Sequence, residues 1–228
     1  PDVKLSLEIK SLLLNKKWEE AAEKLIEAYE MVVSDPNLKY YIAYCYEQLA
    51  VTAFEKREYR DTIEHLEKAV SYVDDEPDIF AILGICHFQL SQYLEAEGSF
   101  KAALNLDSKH LLSLKKLGEV FYLTNDMDQA LFYWEEALKL DPQDKILKKR
   151  LASLKKLLDL SQNFDTEIDR FFSVSFDGEQ NLQLRGTVLD TLRDIYLKIG
   201  QELNLYPNRQ IRVVLLAEDD PATCSALK

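Results

Sequence analysis

The histidines, the side chains best suited to acid–base and metal chemistry near neutral pH, are few and far apart. His65, His87 and His110 are the only three, and no two of them have the i, i+4 spacing with which a helix holds a metal ion. His87 is expected to pack inside a helix pair, and the other two to lie at surface or turn positions. No Ser–His–Asp set and no phosphate-binding Gly loop appears. The sequence therefore predicts a protein without catalytic residues, metal or cofactor.

The cysteines and one acidic cluster are the other candidates for chemistry. Cys45, Cys86 and Cys224 form neither a C-x-x-C motif nor a zinc-ligand cluster. We expect the first two to be buried, inert thiols, with a disulfide between them as the alternative, and Cys224 to be exposed. Glu218–Asp220 follows an apolar run, where parallel sheets often bind ligands, but three adjacent acids are also typical of a solvated loop.

The composition narrows the class of partner. The 40 acidic and 28 basic residues give a formal net charge of −12, and binding to nucleic acid needs a surplus of Lys and Arg. Hydrophobic residues make up 47% of the 228, which excludes a disordered chain. No apolar run reaches the roughly 20 residues of a membrane span. We therefore expect a soluble protein with no nucleic-acid partner and no membrane span. The chain begins with Pro1 rather than Met, which leaves export and the compartment open.

The chain repeats itself with a period of 34 residues. Six columns of matched size recur in three copies, and an earlier copy, at Trp18, Ala21, Leu25 and Ala28, lies 41 residues before the next. Their helical spacing predicts pairs of amphipathic helices, in which small residues allow close approach and large ones fill the gap to the next pair. The columns are Leu49/Leu83/Leu117, Ala50/Gly84/Gly118, Tyr59/Tyr93/Met127, Thr62/Ala96/Ala130, Leu66/Phe100/Trp134 and Ala69/Ala103/Ala137.

These columns resemble the tetratricopeptide repeat. The L-G, A, F/W, A and P signature occurs in order between Phe80 and Pro142. The unit Tyr44–Asp75 is similar, whereas residues 2–35 match only in their second helix. The resemblance implies a mainly α superhelical solenoid of about four helix pairs over residues 1–160. A helix at 143–160, apolar at Ile146, Leu147, Leu151, Leu154, Leu157 and Leu158, is expected to cap it.

The resemblance also implies a concave face, lined by the first helix of each pair, that binds a protein or peptide segment. Several family members hold a terminal carboxylate there with Lys/Arg and Asn. Here Asn is missing, only Lys115 and Lys116 contribute, and Glu47 would repel a carboxylate, so we expect an apolar or aromatic-bearing segment instead. Packing between units is the alternative role for each residue. The expected groove residues are Tyr44, Glu47, Gln48, Val51, Phe54, Asp78, Ile82, Ile85, Phe88, Gln89, Leu112, Lys115, Glu119 and Tyr122.

The pattern changes after residue 160. SQNFDT at 161–166 is expected to be a polar linker. An alternating strand at Phe171–Phe176, a long amphipathic helix at 180–204 and an apolar run at Ile211–Ala217 predict a βαβ segment over residues 161–228. The run IRVVLLA is typical of a strand buried on both faces. The predicted helix stripe is Val188, Leu192, Ile195, Tyr196, Ile199 and Leu203.

Residues 171–217 resemble the opening of the peptidase-MA-like domains of gluzincin metallopeptidases. The similar features are FSVSFDG at Phe172–Gly178, IGQEL at Ile199–Leu203, Tyr206-Pro207 and VVLL at Val213–Leu216. That family needs H-E-x-x-H, which this sequence lacks. The predicted function is therefore a non-catalytic scaffold. The alternatives are the substrate-recruiting front of a zinc metallopeptidase and a homodimerising module built on the C-terminal segment.

Overall fold

The computed structural model of the chain describes residues 6–31, 36–162, 165–168, 171–176, 185–206 and 211–215. These residues form ten helices and three strands. The predicted fold class, a mainly helical solenoid with a small C-terminal βαβ segment, is confirmed. The elements are α1 (Leu7–Leu14), α2 (Trp18–Met31), α3 (Pro36–Glu55), α4 (Tyr59–Val70), α5 (Pro77–Gln89), α6 (Tyr93–Leu106), α7 (Leu111–Leu123), α8 (Met127–Leu140), α9 (Lys145–Gln162), β1 (Asp165–Ile168), β2 (Phe172–Phe176), α10 (Arg185–Leu203) and β3 (Ile211–Leu215).

The chain divides into two compact units between Val120 and Phe121. Unit 1 is residues 1–120 and unit 2 is residues 121–228, so the boundary lies within α7. The predicted domain boundary near residue 160 stays a prediction. No helix in the described ranges combines the length and the apolar character that crossing a bilayer requires.

A residue in the left-handed conformation follows the first helix of four successive pairs. These residues are Lys16, Arg57, Ser91 and Asn125, with φ between 57° and 63°. In each turn, the N–H of this residue donates to the carbonyl three positions back, and the next N–H donates to the carbonyl five positions back. This is the Schellman closure of a helix. The α1–α2 pair therefore has the same turn as the others, although its first helix lacks the sequence signature.

The seven extra residues before the second repeat lengthen α3. This helix has 20 residues, whereas α5 and α7 have 13 each. In the added N-terminal part, Leu38 and Ile42 are buried in one cluster with Ala21 and Leu25 of α2. The insertion thus forms two helical turns that pack on the first pair.

Most residues in the columns of small and large residues are buried in the core. Ala69, Ala103 and Ala137 are fully buried, as are Ala96, Ala130 and Phe100, whereas Leu49 is half-buried. The other buried members of these columns are Leu66, Leu83, Leu117, Ala50, Trp134, Gly84 and Gly118. A Cβ on Gly84 would lie 2.6 Å from Cε1 of Phe100, so this glycine is what lets the ring fit. Thr62, in the alanine column, is buried but donates its hydroxyl to the Glu58 carbonyl at 2.9 Å.

The described strands form one sheet in the order β1-β2-β3. β2 pairs with β3 in parallel, with Val174 opposite Val213, and α10 lies between them in the chain. β1 pairs with β2 antiparallel, with Thr166 opposite Ser175. The predicted linker at 161–166 is therefore wrong in part, because α9 extends to Gln162 and β1 starts at Asp165. The parallel βαβ segment is present, with an additional antiparallel strand.

Two details of the C-terminal prediction are also wrong. The core there consists of Phe172, Val174 and Leu189, so α10 is rotated from the predicted stripe. Val188, Leu192 and Tyr196 are partly buried, whereas Ile195, Ile199 and Leu203 are exposed. Ile211 is 37% exposed and Val213 is half-buried, so these two residues of β3 do not have the full burial that was predicted for the strand.

The predicted cap helix is α9. Leu147, Leu151 and Leu154 are buried, and Leu157 and Leu158 are half-buried. Ile146, assigned to the same stripe, is 71% exposed. Asp144, immediately before the helix, accepts a hydrogen bond from the Leu147 N–H at 2.9 Å and so caps its first turn.

Candidate functional site

The predicted groove residues occupy three helices, and their exposure divides them into two groups. Tyr44, Val51, Asp78, Gln89, Leu112 and Tyr122 are exposed, and the other eight are half-buried: Glu47, Gln48, Phe54, Ile82, Ile85, Phe88, Lys115 and Glu119. Those in unit 1, which excludes Tyr122, are called here the first-helix face. The assignment of these residues to partner binding stays a prediction.

Contacts within unit 1 join the three helices of the first-helix face. The Lys116 ammonium lies 5.1 Å from the centroid of the Phe88 ring, which links α7 to α5. Nε2 of His110, just before α7, lies 2.9 Å from Oδ1 of Asp78 on α5. Glu47 on α3 is close enough to Glu76, at the start of α5, for their charges to repel. The predicted positions therefore belong to adjacent helices.

Large apolar side chains on this face are exposed. Tyr44 and Val51 on α3 are each 46% exposed, and Leu112 on α7 is 40% exposed. The Tyr44 ring meets Trp18 of α2 edge-on, with 5.7 Å between centroids, so the ring has a fixed position while nearly half of it remains accessible. Such side chains offer contact area at a low cost in conformational entropy.

The acidic end of the face disfavours an anionic ligand. Burial raises the pKa of the Glu47 carboxyl above its usual value, and repulsion from Glu76 raises it further. Both causes mean that negative charge is already unfavourable at this point. A ligand carboxylate placed here would add to the repulsion. The predicted conflict between Glu47 and a carboxylate clamp therefore has a structural basis.

The basic residues of α7 are already engaged. Lys116 makes an ion pair with Glu119 at 2.9 Å while it lies over Phe88. Lys115 also interacts with neighbouring groups. Lys116 consequently contributes to fixing α7 against α5 as well as to the charge of the face.

Two of the predicted groove aromatics pack within their own helix pair. Phe54 meets Tyr59 edge-on at 6.1 Å between centroids, and Phe88 meets Tyr93 in the same way at 5.7 Å. The two contacts are 34 residues apart and thus belong to the repeat. In unit 2, the Tyr122 ring lies 5.5 Å from that of Trp134. The packing alternative therefore describes Phe54 and Phe88 better than an outward binding role does.

Two exposed aromatics of α3 were not among the predicted residues. Tyr40 and Tyr41, in the added turns of α3, are 49% and 40% exposed. Lys39 lies 5.2 Å from the centroid of the Tyr40 ring. The sequence signal for them is the seven-residue excess over the repeat, which moves them outside the aligned columns.

The histidines make structural contacts. Nδ1 of His87 lies 2.9 Å from Oε1 of Gln92, in the turn after its own helix. His110 was expected at a surface or turn position; it precedes α7, but only 13% of its side chain is exposed, and its Nδ1 lies 2.8 Å from the Ser113 hydroxyl. His65 stacks on Tyr46 and its Nδ1 is buried with no hydrogen-bond partner among the described residues, so it is not the surface side chain expected.

The two cysteines within the described ranges are free and buried. Burial raises the pKa of each thiol to about 11; at Cys86 a hydrogen bond with Thr62 acts in the opposite direction. No group of three or more His, Cys, Asp or Glu side chains in the described ranges is arranged to hold a metal ion. Cys224 and the acidic triplet Glu218–Asp220 lie outside the described residues.

Two family models, both described as tetratricopeptide repeat, match the chain, one at residues 47–110 and one at residues 112–144. These two stretches are tetratricopeptide repeats. The matched stretches extend from the middle of α3 to the turn after α8. They include the three copies in which the 34-residue columns are clearest.

Curated relatives share this similarity over part of their length. BBSome complex member BBS4 of Bos taurus is 28% identical over 97 residues, which are 42% of this chain and 18% of the relative. Peptidyl-prolyl cis-trans isomerase FKBP4 of Bos taurus is 25% identical over 160 residues, 66% of this chain and 33% of the relative. The chain thus spans about a third or less of the length of these proteins.

Among solved structures, the first tetratricopeptide-repeat domain of Spaghetti (RPAP3), bound to the HSP90 peptide SRMEEVD, is similar to this chain. The two are 17% identical, with a TM-score of 0.49, and the match covers 51% of this chain and 93% of the other.

Proposed function

We propose that the chain is a non-catalytic scaffold whose first-helix face binds a segment of another protein. The observation that carries this proposal is the exposure of large apolar side chains at repeat-related positions. Tyr44 and Leu112 share one column of the repeat, 68 residues apart, and both are at least 40% exposed. Helical repeat proteins use such extended faces for binding.

The face selects the chemistry of its ligand. Tyr44, Val51 and Leu112 supply an apolar surface, so the bound segment presents apolar or aromatic side chains. Near Glu47 and Glu76 the ligand is neutral or positively charged, because a carboxylate there would be repelled. Rigid helices hold the face in place before binding, which lowers the entropic cost of association.

The proposal is tested by affinity capture with the full chain and two charge variants. Val51→Lys places an ammonium on the exposed apolar part of α3 and is expected to reduce retention of specific partners at least tenfold. Thr52→Lys is the matched control, since Thr52 is the next residue on the same helix, is exposed and lies outside the first-helix face. Mass spectrometry of the retained proteins measures the effect.

Equal retention by the two variants would contradict this proposal. If both variants retain the same proteins as the unmodified chain, in the same amounts, the first-helix face does not bind them. Circular dichroism and thermal melting of both variants establish that each is folded, so that loss of retention reports on the surface.

A second candidate function is self-association through α10. Ile195, Ile199 and Leu203 form an i, i+4, i+8 stripe, and each is at least 47% exposed. A stripe of this kind is typical of an interface. Light scattering over a concentration series tests it: a homodimer that dissociates in Ile199→Glu supports the idea, and a monomer at high concentration contradicts it.

The metallopeptidase alternative is supported only by the order of β2, α10 and β3 and by the parallel pairing of the two strands. Asp177, Gly178 and Pro207, which carry part of that resemblance, lie outside the described residues. The reading frame after Lys228 tests this alternative: H-E-x-x-H there would support it, and a stop codon without that motif would remove it.

A further inference from the structure

A second surface with different chemistry lies in unit 2, between α8 and α9. There an open cleft of about 700 Å³ is lined by four apolar residues, Leu138, Pro142, Leu151 and Ala152. This volume is in the range of pockets that accept small ligands or a few side chains. Pro142 and Ala152 are exposed and Leu138 is half-buried, so part of the apolar lining is accessible from solvent, whereas Leu151 is buried beneath it.

Lysines border the apolar lining. Lys139, Lys148 and Lys155 contribute to the wall of the cleft, with Glu135 as its acidic member. Lys155 pairs with Glu135 at 2.7 Å, and Lys139 pairs with Glu136. Lys148 makes no ion pair with any residue that the structure describes. The border of the cleft therefore has a surplus of positive charge.

The surplus extends over the whole of α9. This helix carries six basic residues and one acidic residue, a net charge of +5, in a chain whose net charge is −12. A basic helix that borders an apolar cleft differs from a merely solvated face, because it provides both burial and charge to the same ligand. Charge complementarity therefore points to an acidic ligand.

We propose that the α8–α9 cleft is a docking site for an acidic segment of a partner protein, which inserts apolar side chains into the cleft while its carboxylates face the bordering lysines. The site is separate from the first-helix face in both residues and charge. Nucleic acid would use the lysines but leave the apolar lining without a function. An anionic membrane surface would use all the lysines of α9 alike, irrespective of whether they border the cleft.

The test begins with a random 12-residue peptide display library, selected on the full chain and counter-selected on Lys148→Glu. Peptides that depend on the cleft are expected to be rich in Asp and Glu and to share apolar positions. Counter-selection removes peptides that bind the first-helix face, because that face is unchanged in the variant. Absence of acidic, apolar-bearing peptides from the enriched set would overturn the proposal.

Fluorescence anisotropy with a synthesised enriched peptide then separates the cleft from general attraction. Lys148→Glu is expected to raise the Kd at least tenfold, whereas Lys149→Glu, the same charge change on a residue outside the cleft lining, changes it less than threefold. Ala152→Trp places a bulky ring in the cleft without altering charge and is also expected to raise the Kd tenfold. Melting curves verify that each variant is folded.

Two outcomes of these measurements would contradict the proposed docking site. Equal losses for Lys148→Glu and Lys149→Glu mean that the peptide is attracted by net charge alone. The second outcome has two parts. Vesicles containing 30% anionic lipid bind the protein, and Lys148→Glu and Lys149→Glu weaken that binding equally, while Ala152→Trp has no effect on peptide binding. This result identifies a lipid-facing helix instead. Val51→Lys is expected to leave peptide binding unchanged, so failure here is distinct from failure of the first-helix face.

Discussion

At the scale of single residues, the stability of unit 1 depends on where side chains are absent as well as where they are present. The Phe100 ring occupies the space that a Cβ on Gly84 would take. Gly98, on the next helix, has no atom within 4 Å of its potential Cβ. These two glycines therefore have opposite roles, although both are helical.

We expect Gly84→Ala to destabilise the protein and Gly98→Ala to stabilise it. The methyl group at position 84 must displace a fully buried ring, with an overpacking cost of about 1–3 kcal/mol. At position 98 it meets nothing and gains about 0.5–1 kcal/mol of helix propensity. Thermal or urea unfolding of the two variants measures the difference. A Gly84→Ala variant as stable as the unmodified protein, or more stable, would show that the ring does not contact position 84.

Reactivity of Cys45 and Cys86 should depend on unfolding. Because burial raises both thiol pKa values to about 11 from an ordinary value of 9.0, the thiols stay protonated near pH 8 in the folded state. In a Cys224→Ser background, Ellman's reagent should react with neither until denaturant is added. Rapid labelling of the folded chain at pH 8 would contradict this burial.

The same pKa shift predicts a loss of stability in alkali. Between pH 9 and 11 the unfolded chain releases these thiol protons before the folded chain does, so the free energy of unfolding falls as the pH rises through this interval. Well below pH 9 both states keep the protons and the thiols add no pH dependence. A Cys45→Ala, Cys86→Ala variant should show a shallower decline in urea midpoint over this interval.

At the scale of elements, the turn inside each helix pair is the most regular feature of the chain. Four turns have the same left-handed residue and the same two closing hydrogen bonds, yet none of the four has glycine at that position. A left-handed conformation costs a residue with a side chain about 1 kcal/mol. The repeat therefore carries a small, recurring strain that glycine would relieve.

We expect Ser91→Gly to stabilise the protein by about 1 kcal/mol, since φ at this position is 59°. Ser91→Val should destabilise it, because branching at Cβ disfavours this conformation further. Ser99→Gly is the matched control: Ser99 lies within α6, where glycine should cost about 0.5–1 kcal/mol. Urea midpoints measure all three changes. A loss of stability in Ser91→Gly would mean that the turn does not have this geometry.

The helix pairs could be predicted from the sequence because the repeat places the same size of residue at the same position several times. β1 could not, since its four residues, Asp165–Ile168, show no alternation and end in a single apolar residue. Its strand conformation comes from backbone pairing with β2, which is specified by the neighbouring strand. Local pattern cannot contain that information.

The exposure of the first-helix face could be predicted only in part, because a recurring position does not show which neighbour a side chain meets. Phe54 and Phe88 recur on first helices and suggested an outward role, but each contacts a tyrosine five residues later. That Phe/Tyr pair recurs at the same spacing in both copies and would have indicated internal packing. Tyr44 and Val51 on α3 have no such recurring partner, and both are exposed.

At the scale of the whole molecule, the described core is a series of local clusters. One joins α1, α2 and the start of α3, another contains Ala50, Leu66, Ile79 and Leu83, and a third holds Phe172, Val174 and Leu189. In repeat arrays, stability is approximately a sum of such local terms. Damage to one cluster should therefore remain near it.

Ile42→Ala tests this locality. Ile42 is fully buried in the first cluster, so the change should cost about 2–5 kcal/mol there. Hydrogen exchange monitored by mass spectrometry should accelerate in α1, α2 and the first half of α3, while peptides from β2 and α10 keep their protection. Uniform acceleration over the chain would show a single cooperative fold instead.

The lengthened α3 has a geometric consequence for how such arrays change. At about 100° per residue, seven residues turn a helix through roughly 700°, only about 20° short of two complete revolutions. Growth by this amount shifts the preceding pair by about 10 Å along the axis while leaving the inward stripe pointing inward. Four residues would have swung that stripe by about 40°. The distance between neighbouring helix pairs can thus change by insertions of seven residues while the same face of each helix stays buried.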